Sequence, residues 1–150
     1  MGLPDYLEVG DSFTFGNLKQ GNLNKLSQIE WLVLDISDKN ILVISKYIIC
    51  KRKYKSEYVS ATWEYSEFRK WLNFEFMQNC FSKEERTQID LSILPNNNLM
   101  RESPDDDAQD YIFLLSTYEA ERIFSDDKQR IAFLDNSLSD TRNPSKPLSW

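Results

Sequence analysis

Histidine is absent from the 150 residues. No Ser-His-Asp or Cys-His device and no His-based zinc site can be assembled within the chain, and the side chain that ordinarily titrates between pH 5 and 8 is missing. Cysteine is scarce. Cys50 and Cys80 cannot complete a four-thiolate site, and at apolar positions they read as two buried thiols, with a single disulfide between them as the alternative. No apolar run approaches the ~20 residues of a membrane-spanning helix. Residues 1–11 (MGLPDYLEVGD) carry neither the cationic start nor the apolar stretch of a signal peptide. The chain therefore reads as cytoplasmic, or as extracellular if a targeting segment has been removed. Positive charge is also short, with 18 Lys and Arg against 24 Asp and Glu and a net charge of −6. Such a field repels polyanions, so neither nucleic acid nor an anionic membrane is an expected partner.

What is present suffices for a core: 41% of the residues are apolar and 13% aromatic, over a length that suits one domain spanning residues 1–150. Gly10 and Asp11 read as a turn ahead of a strand at residues 12–15 (SFTF), and the polar residues 17–28 read as a loop. Residues 29–36 (IEWLVLDI) are apolar on both faces apart from Glu30 and Asp35, the pattern of a central strand. After the turn at residues 37–40 (SDKN), residues 41–45 (ILVIS) complete a β-hairpin over about 29–46. The basic run at 51–55 (KRKYK) reads as a solvated loop after a strand.

Helix signals begin in the aromatic stretch at residues 62–76 (TWEYSEFRKWLNFEF). Phe68, Trp71, Leu72 and Phe76 share one helical face, with Ser66 or Thr62 as the N-cap, which predicts a helix near 66–78. Ser82 with Glu85 forms a capping box for a helix near 83–89. Ser116 with Glu119 forms another, opening a helical region over 117–134 with Leu115 and Ala120 as its staple and a second cap at residues 125–127. Between them lie a long acidic loop at 95–110, a third apolar strand at 111–115 (YIFLL) and, at the end, a polar tail at 135–150. Strands this few and this unevenly spaced give an α+β fold: a small antiparallel or mixed sheet, with the hairpin at its centre, packed against the helices.

These landmarks match a known family. Gly10-Asp11 with Phe15-Gly16, Ile29-Glu30-Trp31 with Val33-Leu34, and Ile44-Ser45-Lys46-Tyr47 are supporting features. Thr62-Trp63-Glu64, Ser66, Arg69, Trp71-Leu72-Asn73 and Phe76 form the specific block; Phe81, Glu85, Phe113-Leu114-Leu115-Ser116 and Glu119-Ala120 follow it. Over about residues 8–125 the chain resembles a bacterial domain of unknown function, DUF6273, with Phe68 where the family more often has Leu. The resemblance implies an α+β domain similar to C-type-lectin-like folds and to the formylglycine-generating-enzyme superfamily. Members typically continue with a Trp-Trp-Leu-Arg-Ser-Pro-Gly-like block and close on a Val-Arg-Pro-Ala-like strand. Neither is found before Trp150, so the resemblance implies a truncated version with a sheet edge left unpaired, or else a natural short relative or a partner chain that supplies the rest. The cysteine pair of the formylglycine-generating relatives does not correspond to Cys50 and Cys80.

Trp63, Arg69 and Trp71 are the candidate ligand-binding residues, because indole and guanidinium faces suit sugars and peptides. The competing role is core construction, with Arg69 paired to Glu64 or Glu30. Asn73 is a poor helix former and is expected to hydrogen-bond a loop backbone. Asp105, Asp106, Asp107 and Asp110, with Asn96, Asn97 and Asn98, supply oxygen ligands within one loop. A calcium ion could use them, although the EF-hand spacing and its glycine are missing. Glu30 and Glu64 are the carboxylates available for glycoside hydrolysis. The expectation is a non-catalytic binding domain whose ligand is a protein or a glycan. The alternatives are a degenerate enzyme with carboxylate or metal chemistry, and an inactive structural fragment.

Overall fold

The computed structural model describes residues 4–20, 25–55, 62–94 and 108–133. Two units emerge, one of residues 1–51 with 115–150 and one of residues 52–114.

The first unit holds a three-stranded antiparallel sheet in the order β1 (Ser12–Gln20), β2 (Lys25–Ile36), β3 (Ile41–Ser45). β2 is central, as its two-sided apolar pattern requires, and the β2–β3 hairpin stands as expected, with Trp31 opposite Ser45 and Ile36 opposite Ile41. Two bulges shape β2's neighbours. Between β1 and β2 the register moves from Thr14↔Glu30 to Asn17↔Gln28, so Phe15 and Gly16 together face one residue. Gly16 takes φ 75°, a left-handed value that L side chains avoid. The bent backbone turns the Phe15 carbonyl toward the Trp31 indole, which donates to it at 2.7 Å. Between β2 and β3 the register skips from Val33↔Val43 to Asp35↔Leu42. The extra residue, Leu34, is buried beside Val33, which strict alternation would not allow. Phe13, Ile29, Val33, Leu34 and Ile48 make the core of this unit. The Gly10-Asp11 turn is pinned to one residue of β2: Gly10 N donates to Val33 O at 2.9 Å and Val33 N to Asp11 O at 2.8 Å.

The polar stretch read as a loop over 17–28 is in part strand. Residues 17–20 and 25–28 extend the pairing as Asn17↔Gln28, Leu18↔Ser27, Lys19↔Leu26 and Gln20↔Lys25. None of residues 17–19 and 26–28 is fully buried, so hydrophobic alternation carries little signal of this pairing. The same unit closes with α4 (Thr117–Ile123), capped by the Ser116–Glu119 box, and a 3₁₀ turn (Asp127–Arg130). Asp126, within the expected cap at residues 125–127, caps that turn, and Ile131 is exposed. Ile48 N donates to Phe133 O at 2.9 Å.

In the second unit α1 (Glu67–Trp71), a π-helical turn (Leu72–Phe76) and α2 (Met77–Cys80) follow one another without a break. α3 (Lys83–Arg86) begins at the Ser82–Glu85 capping box. Leu72, Phe76, Met77, Cys80 and Phe81 are the buried apolar residues among those described, and the Phe76 and Phe81 rings meet edge to face at 5.8 Å. Cys80 is a buried thiol as expected, whereas Cys50 is exposed; no disulfide joins them. β4 (Ser92–Leu94) pairs antiparallel with β5 (Ala108–Asp110), Ile93 opposite Gln109. The apolar residues 111–115, expected as a strand, are not strand, and the pairing falls just ahead of them at 108–110. Among the described residues no helix is long and apolar enough to cross a membrane. The molecule is α+β with antiparallel sheets.

Candidate functional site

The start of α1 organises the second unit. A turn at residues 62–66 brings Tyr65 N to Thr62 O at 3.2 Å and Ser66 N to Trp63 O at 3.1 Å. Ser66, with no exposed surface, then caps the helix by accepting from Arg69 N at 3.0 Å. That cap fixes Arg69 one turn in, with Trp63 just before the helix.

Both side chains converge on Asp110, the last residue of β5. Arg69 Nε donates to Asp110 Oδ1 at 2.7 Å and to Oδ2 at 2.9 Å, and Trp63 Nε1 donates to Oδ2 at 2.8 Å. Asp110 is 2% exposed, so its charge stands on these donors and not on water. The remaining guanidinium edge reaches backbone: Arg69 Nη1 donates to Glu64 O at 3.0 Å and Nη2 to Gln109 O at 3.4 Å. The acid that pairs with Arg69 is thus Asp110. Glu64 contributes only its carbonyl, and Glu30 is engaged in the other unit.

One turn further along, Asn73 completes a second clasp. Its Oδ1 accepts from Tyr111 N at 2.8 Å and Ile112 N at 3.1 Å; its Nδ2 donates to Ile112 O at 2.8 Å and Arg69 O at 3.1 Å. All four hydrogen-bonding positions of the amide are filled. The side chain competes for the Arg69 carbonyl with the helix ladder, and the helix widens to a π turn there, with Met77 N donating to Leu72 O. Residues 111–112 thus take bonds for both amides and for the Ile112 carbonyl from Asn73 instead of from a strand.

Trp71 belongs to a different cluster. The Arg52 guanidinium lies 4.6 Å from its ring centroid, the Phe68 ring stacks near-parallel at 5.9 Å, and Phe76 is tilted at 5.4 Å. Tyr54 bridges toward Trp63, ring centroids 6.3 Å apart, and burial raises its phenol pKa, offset in part by the Ser66 hydroxyl. Of the three ligand-binding candidates, then, Trp63 and Arg69 are brought together through Asp110 and Trp71 stands apart from that clasp.

Of the four calcium candidates, Asp105, Asp106 and Asp107 lie outside the described residues, as do Asn96, Asn97 and Asn98. Asp110 is described, and both its oxygens hold Arg69 or Trp63. Among the described residues no group of three or more carboxylates or cysteines is placed to hold a metal ion. In the first unit Glu30 Oε1 accepts from Ser12 Oγ at 2.9 Å and pairs with Lys46 Nζ. The hydrogen bond to Glu30 raises the Lys46 pKa, which keeps the amine protonated and unsuited to activating the Ser12 hydroxyl as a base. A small, half-open cleft lined by Leu18, Gln28, Ile29, Glu30, Tyr47, Ile48 and Ile49 offers about 10 Å³, room for one water.

Sequence reasoning placed Asp110 in a metal loop and missed its role. The available signal was its position as the last acid before five apolar residues, where a carboxylate is drawn into the interior and requires a cation.

No curated protein and no solved structure matches the chain. The model of a family described as a domain of unknown function, DUF6273, matches residues 38–150. The match takes in β3, both clasps and the capping boxes at Ser82 and Ser116; the landmarks before residue 38 fall outside it. The chain belongs to the DUF6273 family.

Proposed function

We propose that the chain is a non-catalytic binding domain of lectin-like α+β type whose ligand is a protein segment, with a glycan as the rival ligand. One contrast in the second unit carries the reading. The polar groups that could do chemistry, Arg69, Asp110, Trp63 and Asn73, close upon one another. The helical segment that supplies two of them turns Phe74 outward at 74% exposure, and Ile93 on β4 stands at 65%. Large apolar side chains held out by a rigidly clasped scaffold suit contact with another protein. A sugar-binding platform would instead offer an open indole beside unpaired polar groups, and Trp63 and Trp71 are each engaged internally. The net charge of −6 argues against nucleic acid and anionic membrane as partners. Two thiols without a disulfide fit the cytoplasm.

The test is selection from a phage-displayed random peptide library on the full chain, beside a glycan array. The expected result is an enriched peptide motif whose binding is lost in Phe74→Glu while circular dichroism is unchanged, with a blank array. Enrichment on neither surface would sink the reading; hits on the array alone would transfer it to glycans.

A further inference from the structure

We infer that the segment Arg52, Lys53, Tyr54 and Lys55 is a recognition surface for an acidic peptide. The inference rests on the reading of the chain as a protein-binding domain and names the chemistry of the ligand. In a chain with six more acids than bases, every exposed cation has carboxylates in excess to choose from. Lys46, Arg69 and Arg130 each have one, in Glu30, Asp110 and Asp127. Arg52, Lys53 and Lys55, like Lys51, Lys70 and Arg122, have none within ion-pair distance among the described residues, and what sets these three apart is that they fall within four consecutive residues.

The segment is also held in place. Tyr54 O accepts from Phe68 N at 3.2 Å, anchoring the backbone to the first turn of α1, and the Tyr54 ring leans on Trp63. Arg52, although exposed, is fixed with its guanidinium carbon 4.6 Å from the Trp71 ring centroid. A guanidinium stacked on an aromatic ring retains its in-plane N–H donors, which match a carboxylate bidentately. Stacking also lowers the entropy lost when a ligand is bound. Three cations on four residues, one of them pre-oriented, correspond to a peptide with two or three closely spaced carboxylates. A nucleic acid would carry its backbone charge well past this short patch into the field of a net-negative protein, which disfavours it.

The probe is hexaglutamate with blocked termini, titrated into the full chain at low salt and followed by tryptophan fluorescence and by amide NMR shifts. Hexaglutamine and a single-stranded deoxythymidine decamer serve as comparisons. Hexaglutamate is expected to bind with a Kd below about 1 mM, to weaken about tenfold or more between 20 and 200 mM salt as the pairs are screened, and to shift amides of residues 52–55. Arg52→Gln with Lys53→Gln and Lys55→Gln should abolish binding with the thermal midpoint retained. Lys53→Gln with Lys55→Gln alone preserves the Arg52–Trp71 stack and should weaken binding by itself. The proposal is overturned if hexaglutamate shows no saturable binding, if hexaglutamine binds equally, if the double variant leaves affinity unchanged, or if the decamer binds more tightly. A peptide library that enriches neutral motifs would overturn it too, while leaving the protein-binding reading intact; an empty library would remove that reading first.

Discussion

Residue by residue, the site is a study in which partner of an ion pair can reach water. Asp110 is 2% exposed, while the Arg69 side chain retains 22%. Removing the arginine strands a buried carboxylate with the Trp63 indole as its remaining donor. Arg69→Ala should therefore cost on the order of 3–5 kcal/mol, the range for leaving a buried charge uncompensated. Asp110→Ala strands the more accessible partner, which can hydrate, together with one indole N–H, and should cost less, about 1–3 kcal/mol. Urea unfolding of both single variants and the double variant tests the order as well as the size. The double variant should be less destabilised than the sum of the singles, because each single leaves an orphan that the other removes. Equal, small effects would mean that Arg69 is an ordinary surface cation, free to serve a ligand.

Elements declare themselves in sequence where a local rule and the tertiary structure agree. Ser82 with Glu85 and Ser116 with Glu119 were legible as capping boxes because the reciprocal bonds are made within four residues. The β2–β3 hairpin was legible because a central strand needs apolar residues on both faces. The outer half of β1 and the first residues of β2 were not, since residues 17–20 and 25–28 are mostly polar and show no apolar alternation. Residues 111–112 misled for the opposite reason: apolar and β-prone, they take their backbone bonds from one side chain 38 residues or more away. That side chain, Asn73, was legible as a backbone partner from its poor helix propensity, but the π turn it accompanies was not. Asn73→Leu isolates this effect. It restores an apolar helix former and removes four hydrogen bonds, leaving the 111–112 amides and carbonyl unmet. A destabilisation on the order of 1–3 kcal/mol is expected, with faster hydrogen exchange at Tyr111 and Ile112. A variant as stable as the parent would show that propensity outweighs the clasp, and that the π turn exists for another reason.

For the whole molecule, the charge balance poses the sharpest question, because an acidic chain with Asp105, Asp106, Asp107 and Asp110 so close in sequence invites a cation. The geometry of Asp110 argues against its being a ligand. Calcium would have to take a carboxylate whose two oxygens already accept three N–H bonds from Arg69 and Trp63, and the displaced guanidinium would be left beside a divalent ion. The attraction of a fourth carboxylate is thus offset by loss of the pair that secures the second unit. The remaining three aspartates reach the lower end of the six to eight oxygens that calcium prefers only if every one of them binds through both oxygens. Thermal unfolding in millimolar calcium should therefore match unfolding in chelator, because a ligand stabilises only in proportion to its binding to the folded state. A rise in midpoint that survives Asp110→Asn would place a metal on residues 105–107 alone. A rise abolished by that variant would mean that Asp110 leaves Arg69 for the ion, which would turn the clasp into a metal-controlled latch. The same scan in the Arg69→Ala background separates the two: with the competing cation gone, Asp110 is available, and any latent calcium affinity should increase.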